Sequence, residues 1–333
     1  MKSLLLIIST VILMGCNSEN TSIAIFEDRG TLEYTLMSHI PILILKYPIR
    51  MIVLGDQFII SDFQRDTLFN YINEKGELSK FGIQGRGTGE FIDGYGLAQL
   101  SDSSFIIGDR GNKKLTFFKL DSGSIIKDKE VKTPWVNNIF PYDENIIVTN
   151  GQEPFEKNYG VLDLRTGQSN SYIDFPIPET EEERQDPMIQ RMNYNHIVRK
   201  PDSNRFVSFR ASKLLIDVMD LNDKELVLVR RTKYEQYQWE ENEGNNNPPN
   251  TASLNSLSGG RITGSSSTIF ICYKSKSQDD KSWNLLTFNW DGEPEGRYKL
   301  PFVPYCISAT PEGKLYCIAT IEMEYRIVLL KLE

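Results

Sequence analysis

Apolar residues fall along this chain in short runs, each closed by turn-forming residues, and not at the three-to-four residue spacing of an amphipathic helix. The clearest unit has β-rich runs at 96–100, 105–109 and 114–118. Ser101 to Ser104 and Arg110-Gly111-Asn112 separate them, and Asp121-Ser122-Gly123 turns the chain into a fourth run near 124–131. The same order stands upstream at 51–54, 58–62, 67–71 and 78–81. Further copies occupy 135–167, 196–223, 258–292 and 304–332. Six copies of a four-strand antiparallel unit predict an all-β, six-bladed β-propeller. The last copy stops at its third strand, so the ring is expected to close with an N-terminal strand, taken from 22–26 or 40–47, that hides the open edges. A helix is expected only around 179–192, cut short by Pro187.

Two motifs carry a family resemblance. Phe81-Gly82-Ile83-Gln84-Gly85-Arg86-Gly87-Thr88-Gly89-Glu90-Phe91 resembles the glycine-rich segment ahead of a blade in NHL-repeat and TolB-like six-bladed propellers. Asp109-Arg110-Gly111-Asn112-Lys113-Lys114-Leu115 is similar to their mid-blade turn. Thr88 stands where the family usually has proline, and the later blades keep only the rhythm of strand and turn. The resemblance implies a binding or scaffolding propeller, often tethered to a bacterial envelope. It carries over no catalytic residue.

The N-terminus adds an address. Lys2, an apolar run over 4–13 broken only by Ser9 and Thr10, and Gly15 read as a secretory signal, too short to span a bilayer. Leu13-Met14-Gly15-Cys16 resembles the bacterial lipobox, with Met14 larger than usual. The expectation is a cleaved signal over 1–15, a lipid on Cys16, and one propeller domain over 16–333 held at the cell envelope. Each buried lipid methylene contributes about 0.8 kcal/mol to such an anchor. No strongly acidic run follows Cys16, which favours the periplasmic side over the exterior.

A net charge of −8 without clustered Lys and Arg argues against nucleic acid as a partner. Of the four cysteines, Cys272, Cys306 and Cys317 remain after Cys16. Cys306 and Cys317 flank a turn at 311–314 and either bridge a hairpin or stay buried and unpaired. Only His39 and His196 are present, which excludes a multi-histidine metal site. His196 opens an inner strand without a Gly-x-Ser-x-Gly elbow, so it is expected to be partly buried and satisfied by backbone. Gly85, Gly87 and Gly89 lack a Gly-Lys-Ser/Thr ending, so a tight crossover with positive φ is expected in place of a phosphate cradle. Asp62, Asp109, Glu322 and Glu324 could ring a calcium ion, as in propeller lactonases, but Asp62 and Asp109 hold equivalent repeat positions that suit strand-ending turns.

Strand reversal places the connections after second and fourth strands on one face. The long insertions near 175–195 and 231–257 both follow fourth strands, so they share a face with the glycine-rich segment and Arg110. The second insertion carries Tyr234, Tyr237 and Trp239, which either stack on a ligand or pack on the propeller rim. The expected ligand residues are Arg86, Glu90, Arg110, Tyr237 and Trp239, facing a glycan, peptide or protein partner, with no cofactor. The alternative is a calcium-dependent hydrolase or lyase acting in the central channel.

Overall fold

The computed structural model describes residues 20–63, 66–94, 96–133, 138–150, 157–176, 195–210, 214–240, 250–253, 261–274 and 282–332. The signal over 1–15, Cys16, the segment 177–194 with its expected helix, and residues 241–249 and 254–257 of the second expected insertion lie outside them.

After β1 (Asn20–Thr31) and β2 (Glu33–Leu36), the chain builds blades from the axis outward. Blade 1 is β3 (Pro48–Leu54), β4 (Gln57–Asp62), β5 (Thr67–Ile72) and β6 (Leu78–Ile83). Blade 2 is β7 (Gly96–Ser101), β8 (Ser104–Asp109), β9 (Lys114–Asp121) and β10 (Ser124–Lys132). Blade 3 is β11 (Ile139–Pro141), β12 (Ile146–Asn150), β13 (Tyr159–Asp163) and β14 (Gln168–Tyr172). Blade 4 is β15 (Asn195–Arg199), β16 (Arg205–Arg210), β17 (Leu214–Asn222) and β18 (Glu225–Glu240), from which β19 (Asn250–Ser253) folds back as a hairpin. Blade 5 is β20 (Arg261–Gly264), β21 (Ile269–Lys274), β22 (Trp283–Phe288) and β23 (Pro294–Leu300). Blade 6 is β24 (Val303–Ala309), β25 (Leu315–Ile321) and β26 (Glu324–Lys331), completed by β2. Each inner strand touches the next around the ring, including β24 against β3.

The second strands are apolar at successive positions because both faces of a blade are covered. In β4, Ile59 packs with Leu97 and Phe105 of blade 2, while Phe58 and Ile60 pack with Tyr316 and Ile318 of blade 6. Buried clusters of this kind lie at every junction between neighbouring blades.

The ring closes with an N-terminal strand, but neither expected segment supplies it. β2 pairs with β26, Glu33 opposite Lys331 and Leu36 opposite Val328. Residues 22–26 lie in β1, which runs parallel to β18 and β23 and joins blades 4 and 5 into a ten-stranded sheet. Its alternation decides this: Ala24 and Phe26 enter the cluster between those blades, while Ile23 and Ile25 face outward. In 40–47, Ile40, Leu43 and Leu45 pack between blades 6 and 1. The expected insertion at 231 is also corrected, because 231–240 continues β18 as strand. Cys306 and Cys317 are both buried and are not joined by a disulfide. Cys306 pairs with Ile318 and Ile307 with Cys317, an offset of one residue that turns the two thiols to opposite faces of blade 6.

Candidate functional site

Connections after second and fourth strands emerge on one face, here the upper face, where the inner strands begin. The glycine-rich crossover from blade 1 to blade 2 lies there and is held from below. Asp109, at the end of β8, accepts hydrogen bonds from Ile92 N (2.9 Å), Asn112 N (3.0 Å) and Asn112 Nδ2 (2.7 Å). Asn112 Nδ2 also donates to Gly85 O at 3.2 Å. The two family motifs are therefore one device, in which the mid-blade turn clamps the crossover leading into its own blade. Asp62 repeats the arrangement in blade 1, accepting Lys46 N (3.0 Å) and Tyr47 N (2.6 Å).

The glycines serve two purposes. Gly82 and Gly89 have positive φ, 74° and 79°. Gly85 and Gly87 instead make room for Glu90, whose Oε2 lies 2.0 Å from where a Cβ on Gly85 would stand. Glu90 Oε2 accepts Gly87 N at 2.6 Å. Arg110 Nε lies 3.6 Å from Asp93 Oδ2. Of the expected ligand residues, Glu90 and Arg110 are thus engaged within the crossover, and Arg86 is exposed on it. Tyr237 and Trp239 lie on β18 opposite Ala24 and Phe26 of β1, with side chains outside the described residues. Tyr234 packs inward, its hydroxyl donating to Gly292 O at 3.0 Å.

The upper mouth of the central channel gathers residues that the sequence reading set aside or missed. Arg50, near the start of β3, pairs with Ser61, and His196, at the start of β15, pairs with Phe209. Each partner is the penultimate residue of its second strand, so Arg50 and His196 hold equivalent positions in blades 1 and 4, opposite one another around the ring. Gly96, Ile139 and Val303 hold that position in blades 2, 3 and 6, paired with Gly108, Thr149 and Thr320. Arg50 reaches across blade 2, donating from Nη1 to Leu97 O (3.2 Å) and from Nη2 to Asn138 Oδ1 (2.8 Å), with its guanidinium 5.7 Å from the Phe140 ring centre. Asn138 is fixed in turn, its carbonyl accepting Thr149 Oγ1 at 2.6 Å.

Both residues are only partly accessible and are surrounded by protein. Burial pushes Arg50 down to about 10. Burial, reinforced by the charge of Arg50, pushes His196 down to about 4. With two blades between them on either side of the ring, that influence crosses the channel. At the other end, Asp56, Asp102, Glu312 and Lys314 line a cavity of about 220 Å³ together with Gly55, Gln99 and Pro311. The lower mouth is therefore mainly acidic and the upper one carries an arginine.

The TolB-like 6-blade propeller-like family matches residues 30–309 of this chain. The chain belongs to that family. Among solved structures, a Bacteroides fragilis protein taken to be exported superposes with a TM-score of 0.57 at 10% identity, covering 94% of this chain and 100% of its own. A member of the DUF4221 family from Bacteroides vulgatus gives 0.55 at 12% identity, covering 91% and 99%. At such identities the likeness is one of fold. No curated protein sequence matches the chain.

In this TolB-like propeller the four carboxylates weighed for calcium stand apart. Asp62 and Asp109 hold backbone amides of different blades, and Glu322 and Glu324 flank the turn between β25 and β26. Among the described residues no group of three or more His, Cys, Asp or Glu side chains is placed to hold a metal. His196 is half-buried as expected, but its ring has no hydrogen bond to the described residues in place of the expected backbone partner. The signal for Arg50 was present in the sequence: one charged residue near the start of an otherwise apolar inner strand, Pro48-Ile49-Arg50-Met51-Ile52-Val53-Leu54.

The depressed His196 makes stability depend on pH. The unfolded chain takes up a proton near 6.5 and the folded one only near 4. Between these values the unfolded state holds more protons, so stability is full above 6.5 and falls as the pH drops towards 4. The loss attributable to this residue is about 3 kcal/mol. Denaturant melts at pH 7 and pH 4 should show His196→Gln losing less stability than the wild type by roughly that amount.

Proposed function

We propose that this TolB-like propeller is a lipid-anchored binding module of the bacterial envelope, which presents its upper face to a glycan, peptide or protein partner. The observation that carries this reading is the convergence of Arg50, Asn138 and His196, from three different blades, at the channel mouth on the same face as Arg86. Polar groups gathered at a concave mouth within a rigid scaffold are what ligand recognition requires. The lipobox-like Leu13-Met14-Gly15-Cys16 supports the anchor. Three residues separate Cys16 from Asn20, where β1 begins, so four residue steps give a reach of about 14 Å at full extension. The lipid would hold the outer wall of blades 4 and 5 close to the bilayer, where Ile23 and Ile25 are half exposed on β1.

The test is fractionation of the full chain expressed in a bacterium. Wild type is expected in the detergent-extractable membrane pellet and Cys16→Ser in the soluble fraction; an unchanged distribution contradicts the anchor. Probing glycan and peptide arrays with the full chain tests the face. A bulky maleimide on Arg86→Cys should abolish the array signal, and the same label on Asp102→Cys on the lower face should not. The reverse pattern would place binding at the acidic mouth.

A further inference from the structure

Arg50 is a partly buried cation without a counter-ion among the described residues. Its partners among the described residues are a carbonyl, an amide oxygen and an aromatic ring. Among the described residues no carboxylate pairs with it, and none influences its ionisation. A guanidinium has five N–H donors in a rigid fork. Two are spent on Leu97 O and Asn138 Oδ1, which leaves three for a ligand and fixes the plane in which they lie. Holding a charge out of water without a partner destabilises the folded chain, and a protein can shed that cost here by replacing one residue. Two arginines in the blades are compensated by carboxylates: Arg231 binds Asp217 and Arg297 binds Asp28.

We propose that the upper mouth of the channel is a carboxylate-binding site, with Arg50 as the paired cation and the Asn138 amide and His196 imidazole as flanking hydrogen-bonding groups. This rests on the reading of the upper face as the binding face and names the chemistry of its ligand. Arginine is the side chain that meets a planar carboxylate with two parallel hydrogen bonds. Asn138 has its Oδ1 on Arg50, so its Nδ2 remains to orient the rest of the ligand. The acidic lower mouth repels the same ligand, so approach is from above. A uronic acid and a peptide C-terminus both offer the required group.

Calorimetry with the purified full chain at pH 7 and low chloride tests this. The probes are glucuronate and N-acetylalanine, each against its uncharged counterpart, glucose and N-acetylalanine amide. At least one carboxylated probe should bind about tenfold or more tightly than its counterpart, and which one does separates a saccharide from a peptide source. Arg50→Gln should weaken that binding by about tenfold or more, whereas Arg50→Lys, which keeps the charge but not the fork, should retain part of it. Binding of neither carboxylated probe, equal binding of an uncharged one, or an unaffected Arg50→Gln variant each overturns the proposal. Thermal melts establish whether Arg50→Gln folds. Should it not, competition in the wild type decides: acetate displaces the bound probe if the carboxylate is recognised and leaves it in place otherwise. Capture of glucose with no carboxylate preference removes this assignment but leaves the binding module standing. The Cys16→Ser and Arg86→Cys results are independent of Arg50, so the two failures can be told apart.

Discussion

Replacing Asp217 by alanine should lower the stability of the propeller by about 3–5 kcal/mol. Asp217, on β17 of blade 4, is almost fully enclosed and accepts two hydrogen bonds from Arg231 of β18, Nε to Oδ1 at 2.7 Å and Nη2 to Oδ2 at 2.8 Å. Its Oδ2 also accepts the Tyr159 hydroxyl from blade 3 at 2.7 Å. Burial first, and then the neighbouring carboxylate, holds the Tyr159 phenol well above its ordinary value, so it stays protonated and donates. Alanine would strand the Arg231 charge and the Tyr159 hydroxyl in the junction between two blades. Tyr159→Phe removes one hydrogen bond and should cost only about 1–2 kcal/mol. Because both act on one carboxylate, the double variant should lose less than the sum. Equilibrium denaturation of the four proteins checks this, and a loss below about 1 kcal/mol for Asp217→Ala would mean that the triad does not tie blades 3 and 4.

Phe26→Ala comes next in size, at about 3–5 kcal/mol if the rest of the ring stays in place. Phe26 is fully buried between blades 4 and 5, with its ring edge-on to Phe288 at 5.2 Å between centres. The chain order adds a limit. β1 is an added strand between two blades that have their own four, so once its anchor is lost it can detach and leave the blades standing. The cost cannot exceed the free energy of docking β1. Hydrogen exchange should therefore rise in 20–31 and in the β18 and β23 edges that β1 covers, and stay unchanged in blade 1. Uniformly faster exchange would show that β1 is needed for the whole ring.

What could be read from the sequence follows burial. The second strands were visible because each is covered on both sides: the expected 58–62 and 105–109 fall within Gln57–Asp62 and Ser104–Asp109. Outer strands are half solvated and carry weaker patterns. β2, Glu33-Tyr34-Thr35-Leu36, has all four side chains exposed, so nothing in its composition marks it as the strand that closes the ring. Ala24 and Phe26 gave 22–26 a strand-like alternation, and only the three-dimensional cleft between blades 4 and 5 explains what that face covers.

The site divides in the same way. The glycine-rich crossover and the Asp109 turn were legible as motifs, since each is a local solution to a backbone problem. That Asn112 joins them, and that Glu90 lies within the crossover, depends on chain folding back over the blade. The face that carries the crossovers followed from counting strands. Arg50 and His196 did not, because their opposition exists only once six blades have closed. Tyr234 takes the packing alternative, on a strand and not on a loop, because β18 runs on past the blade edge and carries it into the core.

The central claim is that Arg50 and His196 face one another across the upper mouth of a closed ring, and the titration of the His196 imidazole tests it most directly. Only two histidines are present, so NMR of the full chain with His196→Gln as reference assigns the signal. The account predicts a pKa near 4 for His196 in the wild type and an upward shift in Arg50→Gln, because the charge across the channel is gone. An ordinary value near 6.5, unchanged by Arg50→Gln, would contradict it.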